Sequence, residues 1–125
     1  MCVRDNESMG RTVLIVDDHP SFRASVRRLL LDAGYEVVGE APDGASALAA
    51  ARALRPAIVL LDVQLPDLDG FEVASRLTGD PDPPAVVLTS IHDRGDFAGM
   101  IARSGARGFL PKSDLSAHAL AEILT

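Results

Sequence analysis

Tryptophan is absent from the 125-residue chain, and cysteine occurs once, at position 2. A lone Cys2 can close no internal disulfide and joins no ligand cluster, which sets aside disulfide scaffolds and fits a reducing cytoplasm. Apolar runs stop at about five residues, against the roughly 20 that a membrane-spanning helix needs. The N-terminus has no apolar h-region, so no export signal is visible. Positive charge is in deficit: 12 Lys plus Arg against 18 Asp plus Glu leave a net charge of −6. Such a surface has no general attraction for nucleic acid or anionic membrane. No glycine-rich loop ending in lysine occurs, which excludes a P-loop enzyme. What is present is 47% hydrophobic residues in a length that suits one domain with an ordinary core. A compact, soluble, bacterial-type domain is the expectation.

The most informative stretch runs from Ala57 to Gly70. Ala57-Ile58-Val59-Leu60-Leu61 is apolar with no period of two, as in a strand buried on both faces, and it ends abruptly in Asp62. Pro66 and Gly70 then mark a loop. An acid at the carboxyl end of a buried parallel strand lies where open α/β sheets keep their chemistry. Thr12 to Val16 repeats the pattern and runs into Asp17 and Asp18. His19-Pro20 opens a helix with Phe22, Val26, Leu29, Leu30 and Ala33 at helical spacing, and Gly34 ends it.

Further on, Glu36 to Glu40 predicts a short strand, and Asp43-Gly44 opens an alanine-rich helix to about Leu54. Phe71, Ala74 and Leu77 mark one face of a third helix, and Thr78 to Pro84 is a loop by composition. Ala85 to Ser90 reads as a fourth strand, and Asp93 can cap a fourth helix to about Arg103. Arg107 to Leu110 reads as a fifth strand, and Leu115, Ala119, Ile123 and Leu124 line one side of a last helix. Residues 1–10 are polar and aperiodic, a flexible tail ahead of a domain spanning 11–125, with Met9 as an alternative start.

Strict alternation of five strands and five helices predicts an α/β fold with a five-stranded parallel sheet and helices on both faces. The order expected is 2-1-3-4-5, the flavodoxin-like form. It puts strands 1 and 3 side by side, so Asp17, Asp18 and Asp62 meet at one edge. Ser90 and Lys112, at the ends of strands 4 and 5, reach the same mouth. Carboxylates that close repel by roughly 3–4 kcal/mol per pair at an effective dielectric near 20, so the acids either take up protons or hold a cation. Oxygen ligands in an open cleft suit Mg²⁺. One acid could instead be a nucleophile, since a carboxylate attacking phosphorus gives an aspartyl phosphate. Lys112 and Ser90 would then hold the phosphoryl oxygens.

Three segments carry a resemblance: Val-Leu-Ile-Val-Asp-Asp-His-Pro (13–20), Val-Leu-Leu-Asp-Val-Gln-Leu-Pro-Asp-Leu-Asp-Gly (59–70) and Gly-Ala-Arg-Gly-Phe-Leu-Pro-Lys (105–112). They closely resemble response-regulator receiver domains of bacterial two-component signalling, over about residues 11–124. The resemblance implies that a sensor histidine kinase phosphorylates Asp62. It implies Mg²⁺ on Asp18, Asp62 and the backbone carbonyl of Gln64, with Asp17 supporting the acidic pocket and Lys112 contacting the phosphoryl group. Phe109 matches the family's switch aromatic. The switch hydroxyl is Ser90, 22 residues before Lys112, or Thr89 if the loop holds one residue more. Such a domain accepts a phosphoryl group without being a conventional enzyme.

Relatives with the His-Pro signature often carry a helix-turn-helix, for which a 125-residue chain leaves no room. The expectation is therefore a cytoplasmic single-domain regulator, with no direct contact to nucleic acid or membrane, signalling to an unknown downstream protein. Its surface would be the fourth helix, fifth strand and fifth helix (Met100, Phe109, His118), also a possible homodimer face. The alternatives are the receiver portion of a DNA-binding transcriptional regulator and a receiver-like binding module that is never phosphorylated. A dehalogenase-type phosphatase wants an acid where Gln64 stands, together with a cap domain. A flavin module would not place Asp17 and Asp18 at its phosphate loop.

Two departures from the family stand out: Ser113 where many receivers have proline, and bulky Ile91 beside Ser90, which could slow hydrolysis of the phosphoryl group. Gly95 and Gly99 weaken the fourth helix by about 1 kcal/mol each, making it the expected mobile one. Plainer roles exist for each residue. Asp17 and Asp18 could cap the first helix, Lys112 could be a solvated lysine, Ser90 a strand end and Phe109 a core aromatic. His19, His92 and His118 read as surface or loop residues.

Overall fold

Five parallel strands form one sheet in the order β2-β1-β3-β4-β5, as strand–helix alternation predicts. They are β1 (Thr12–Val16), β2 (Glu36–Ala41), β3 (Ile58–Asp62), β4 (Ala85–Ser90) and β5 (Gly108–Pro111). This computed structural model describes residues 11–92 and 94–125. The tail expected at 1–10, with Cys2 and Met9, and the cap expected at Asp93 lie outside the described residues.

Every residue of β3 is buried, because the strand has a neighbour on each side and a helical layer on each face. Ile58 and Leu60 pack with Val13, Ile15 and Val87 under α1 (Pro20–Asp32) and α5 (Ala117–Leu124), which contribute Val26, Leu30, Leu120 and Leu124. Val59 and Leu61 pack with Leu14, Val16 and Leu88 on the opposite face. There α2 (Gly44–Leu54), α3 (Gly70–Thr78) and α4 (Ala98–Ser104) supply Ala47, Ala51, Val73, Ala74, Leu77 and Ile101. A strand sandwiched this way loses the hydrophobic alternation of a one-sided sheet. Among the described residues no helix is long and apolar enough to cross a membrane.

Local chemistry sets the helix starts. Pro20 opens α1, Asp43 caps α2 through the Ser46 N–H (2.8 Å) and Asp69 caps α3 through the Phe71 N–H (2.7 Å). Such caps are each worth about 1 kcal/mol.

The fourth helix differs from the continuous one expected over 94–103. Arg94–Phe97 is a 3-10 turn, and α4 begins only at Ala98. Phe97 takes φ −128°, and its ring centroid lies 5.4 Å from that of Phe71 and 6.1 Å from that of Phe109. In a stretch weakened by Gly95, aromatic packing on α3 and β5 outweighs helix propensity. At the other end, Lys112–Asp114 is a 3-10 turn in place of a direct entry to the last helix. Ser116 caps α5 through the Ala119 N–H (3.0 Å), so Leu115 packs from an extended segment.

Candidate functional site: an acidic cluster at the carboxyl edge

Val16 and Leu61 face each other across β1 and β3, so the residues that follow them, Asp17 and Asp62, end neighbouring strands. Both are buried, at 0% and 2% exposure. Asp18 and His19 complete the cluster: one ligand atom from each of the four residues lies within 4.8 Å of the others. The strand 1–strand 3 juxtaposition expected from the sequence is therefore present. The turn into α1 is fixed by the His19 N–H, which donates to Asp17 Oδ1 (2.8 Å), and by the Arg23 guanidinium, which donates to the Asp17 carbonyl (2.6 Å).

Lys112 enters from the far side of the site. Its Nζ is 2.7 Å from Asp17 Oδ2 and 3.4 Å from Asp62 Oδ2, and it sits 4.3 Å from the centroid of the Phe22 ring on α1. Lys112 is the only lysine in the chain; the other 11 of its 12 basic residues are arginines. Its ammonium is a compact point charge with rotatable donors, so one group reaches both buried carboxylates. Burial pushes the Asp62 carboxyl above its ordinary value, and the Asp17 charge adds to that. The Gln64 N–H, donating to Asp62 Oδ1 at 3.1 Å, and Lys112 pull the other way.

Three carboxylates against one ammonium leave an excess of two negative charges, which one divalent cation balances. The donor set fits such an ion. Asp17 Oδ2 is buried and meets Lys112 at short range without the alignment of a hydrogen bond. Asp18 is about a third exposed, which leaves the solvent side open for the water ligands that Mg²⁺ keeps. His19 Nδ1, 3.0 Å from both Asp17 Oδ1 and Asp18 Oδ1, draws the two acids together from outside. Gln64 begins the loop after β3, and an antiparallel bridge pairs it with Asp69.

Thr89 is the register partner of Asp62 in β4, and Ser90 stands one step nearer the edge. Both are buried. Ser90 Oγ accepts the His92 N–H at 3.0 Å, which leaves its own proton free to donate. Phe109 is 4% exposed and packs against Phe97. This corrects its place in the expected docking face, since a ring held inside the core cannot itself touch a partner. Met100 and His118 are exposed.

Sequence reasoning missed three neighbours of the site. His19 was read as a loop residue, yet it follows two acids directly, a proximity that could have drawn attention to it. Phe22 was read only as part of a helix face. Asp67 gave no local signal, because its partners lie 22 and 23 residues away: its carboxylate accepts the N–H groups of Gly44 (2.7 Å) and Ala45 (3.0 Å).

Residues 13–124 match the family model of the response regulator receiver domain. The chain is 41% identical over 106 residues to BvgA of Bordetella pertussis, named as a transcription regulator of virulence factors, covering 85% of this chain and 51% of that one. The chain spans about half the length of the curated relatives it matches. The receiver domain of NarL from Mycobacterium tuberculosis superposes with a TM-score of 0.80 at 36% identity, covering 93% of this chain and 98% of that one. CheY4 of Vibrio cholerae gives 0.80 at 30% identity, with 93% and 97% covered. With the 2-1-3-4-5 sheet and a family match from the first strand to the last helix, this chain belongs to the response regulator receiver domain family.

Proposed function

We propose that Asp62 is the phosphoacceptor of this domain, receiving its phosphoryl group from the phosphohistidine of a sensor histidine kinase. The observation that carries this reading is the gathering of Asp17, Asp18 and Asp62 oxygens within 4.8 Å, with the only lysine 3.4 Å from Asp62 Oδ2. Mg²⁺ on Asp18, Asp62 and the Gln64 carbonyl would supply neutralisation of the phosphoryl oxygens, and Asp17 would supply the acidic surroundings that retain it. An Asp62 carboxylate oxygen attacks phosphorus as the phosphorus–nitrogen bond to the kinase histidine breaks. The bonding pair stays on the imidazole nitrogen, and the product is an acyl phosphate. Lys112 then exchanges part of its pairing with Asp62 for a phosphoryl oxygen, and Ser90 or Thr89 donates to another. Movement of that hydroxyl frees space toward Phe109, the switch aromatic. Residues 11–125 form the working unit, in the cytoplasm where kinases hold ATP.

Incubation with acetyl phosphate and Mg²⁺ followed by intact mass tests this reading. The wild-type chain gains one phosphoryl group, and Asp62→Ala or a chelator abolishes the gain. Failure of the wild type to label would overturn the reading in favour of a binding module that is not phosphorylated. Output through the surface of α4, β5 and α5, to a downstream protein or a second copy, is one continuation of the signal. The names of the longer relatives favour another: a receiver coupled to transcription. The reading frame beyond codon 125 decides between them, since a helix-turn-helix segment there carries the second and a stop codon the first.

A further inference from the structure

The loop between β3 and α3 is short, yet it is held at both ends and at its tip. At its base the Gly70 N–H donates to the Val63 carbonyl (2.9 Å), and Gln64 bridges Asp69. At its tip Asp67 turns away from the acidic cluster. Its carboxylate accepts the N–H groups of Gly44 (2.7 Å), Ala45 (3.0 Å) and Leu68 (2.8 Å). The first two are among the backbone donors that the start of α2 leaves without helical partners. Asp43 already serves α2 as its own cap through Ser46, so the helix takes a second carboxylate from a different part of the chain. These bonds hold the Asp67 carboxyl below its ordinary value even though the residue is exposed. Close packing reinforces the dock: a Cβ on Gly44 would fall 2.8 Å from the Leu68 Cβ, so the loop tip lies against a residue with no side chain.

We propose that Asp67 is a positioning residue: it ties the loop carrying Gln64 to the start of α2 and so fixes the Gln64 carbonyl where the divalent ion is held. The tether acts through a closed seven-residue loop, 63–69, whose base is also held by the Val63 N–H on the Thr89 carbonyl (3.0 Å) and whose Leu65 and Leu68 pack against the core. With the tip released, Gln64 is left with its bridge to Asp69 and its own N–H bond to Asp62. Groups that orient a metal ligand typically change metal affinity by about 10–100-fold when lost. One carbonyl among several ligands belongs at the lower end of that range. The proposal rests on the phosphoacceptor reading for what the ion is used for, and on the loop geometry alone for the tether.

The experiment compares wild type, Asp67→Ala, Asp67→Asn and Asp43→Ala. Mg²⁺ affinity is read from backbone amide shifts on titration with Mg²⁺, and the phosphorylation rate with acetyl phosphate is read at limiting and at saturating Mg²⁺. Asp67→Ala is expected to weaken Mg²⁺ binding about tenfold, with the rate at saturating Mg²⁺ within about twofold of wild type. Asp67→Asn, which keeps an acceptor oxygen, recovers most of the affinity. Asp43→Ala removes the other cap of α2 and leaves Mg²⁺ affinity unchanged. Equal losses in Asp43→Ala and Asp67→Ala would overturn the proposal, because the effect would then run through helix stability. So would an unchanged affinity in Asp67→Ala. Amide exchange without metal decides the tether separately: Asp67→Ala should speed exchange at Gln64 and Gly70 at least tenfold while β3 stays protected, and unaltered exchange there refutes it. If the wild type binds no Mg²⁺, the phosphoacceptor reading falls, and the exchange result still settles the tether.

Discussion

Two loops leave the carboxyl edge of the sheet side by side, and they are built on opposite principles. The one after β3 is closed by the Gly70–Val63 hydrogen bond, bridged from Gln64 to Asp69 and anchored through Asp67 to α2. The one after β4 has the His92–Ser90 Oγ bond, an Ile91 that is 71% exposed, and a 3-10 turn around Gly95, which has open space where a side chain would be. In the mechanism we propose, the first holds oxygens in place for an ion and a nucleophile, and rigidity serves it. The second lies next to the hydroxyl proposed to follow the phosphoryl group, and it is joined to the rest of the fold through the ring of Phe97. A switch needs one fixed wall and one wall that can shift at low cost.

The largest effect that can break this contrast comes from adding one methyl group to each loop. At Gly70 a Cβ would overlap the Asp62 carbonyl oxygen and the Val63 backbone. Neither is the end of a flexible side chain. Gly70→Ala should lose about 2–4 kcal/mol of stability in urea denaturation and most of its labelling by acetyl phosphate. At Gly95 a Cβ meets nothing within 4 Å and the backbone is not in the left-handed region. Gly95→Ala should gain about 0.5–1 kcal/mol. Equal costs at the two positions would show that the loops do not differ in the way described.

The same contrast explains what the sequence disclosed. The closed loop and its sheet were legible because burial and turn chemistry are local: the β3 run, the Pro66 and Gly70 loop markers and the Asp17-Asp18 pair each show within a few residues. The site assembled because alternation gives a parallel, doubly wound sheet, and the flavodoxin-like order 2-1-3-4-5 expected for it puts the two acidic strand ends side by side. The open loop was misread as one helix over 94–103, since Phe97 is pulled from helical geometry by Phe71 and Phe109, which are 26 and 12 residues away. Asp67 was missed for the same reason, its partners being at the start of another helix. Phe109 was put in the docking face beside its reading as a core aromatic, which is the one its burial bears out, because a four-residue strand carries too short a pattern to tell inside from outside.

Two carboxylates flank the rigid loop's function with opposite pH signatures, which sharpens the comparison at smaller cost. Asp62 has its folded value raised above 3.8 by burial and by Asp17. Its charge therefore opposes folding above that raised value, and the penalty is relieved as pH falls through it toward 3.8. Asp62→Asn should therefore be more stable than wild type near neutral pH, read as a higher Tm in thermal denaturation. That advantage should shrink on acidification. Asp67 has its folded value lowered from 3.8 by the Gly44 and Ala45 N–H groups. Its stabilisation is complete above about 3.8 and is lost as pH falls through the lower folded value. Asp67→Asn should therefore be the less stable chain near neutral pH, with the gap closing only in stronger acid. Parallel pH curves for the two variants would show that the acids are not held differently.

The smallest effect is one of rate. Helix α1 has 13 residues and buries Val26 and Leu30, whereas α4 has seven, contains Gly99 and buries Ile101 with Ser104. Each glycine adds about 1 kcal/mol against the helical state, and a 3-10 turn in place of a capped first turn leaves the start of α4 without a side-chain cap. About 1.4 kcal/mol separates tenfold populations, so backbone amides of α4 should exchange at least tenfold faster than those in the centre of α1. Phosphorylation that draws the switch hydroxyl inward should slow exchange in α4 selectively, because Phe97 links its start to β5 through Phe109. Exchange in α4 as slow as in α1, or unchanged on phosphorylation while Met100 and His118 still gain a partner, would place the movable wall elsewhere, with Ile91 and His92 beside Ser90 as the next segment to measure.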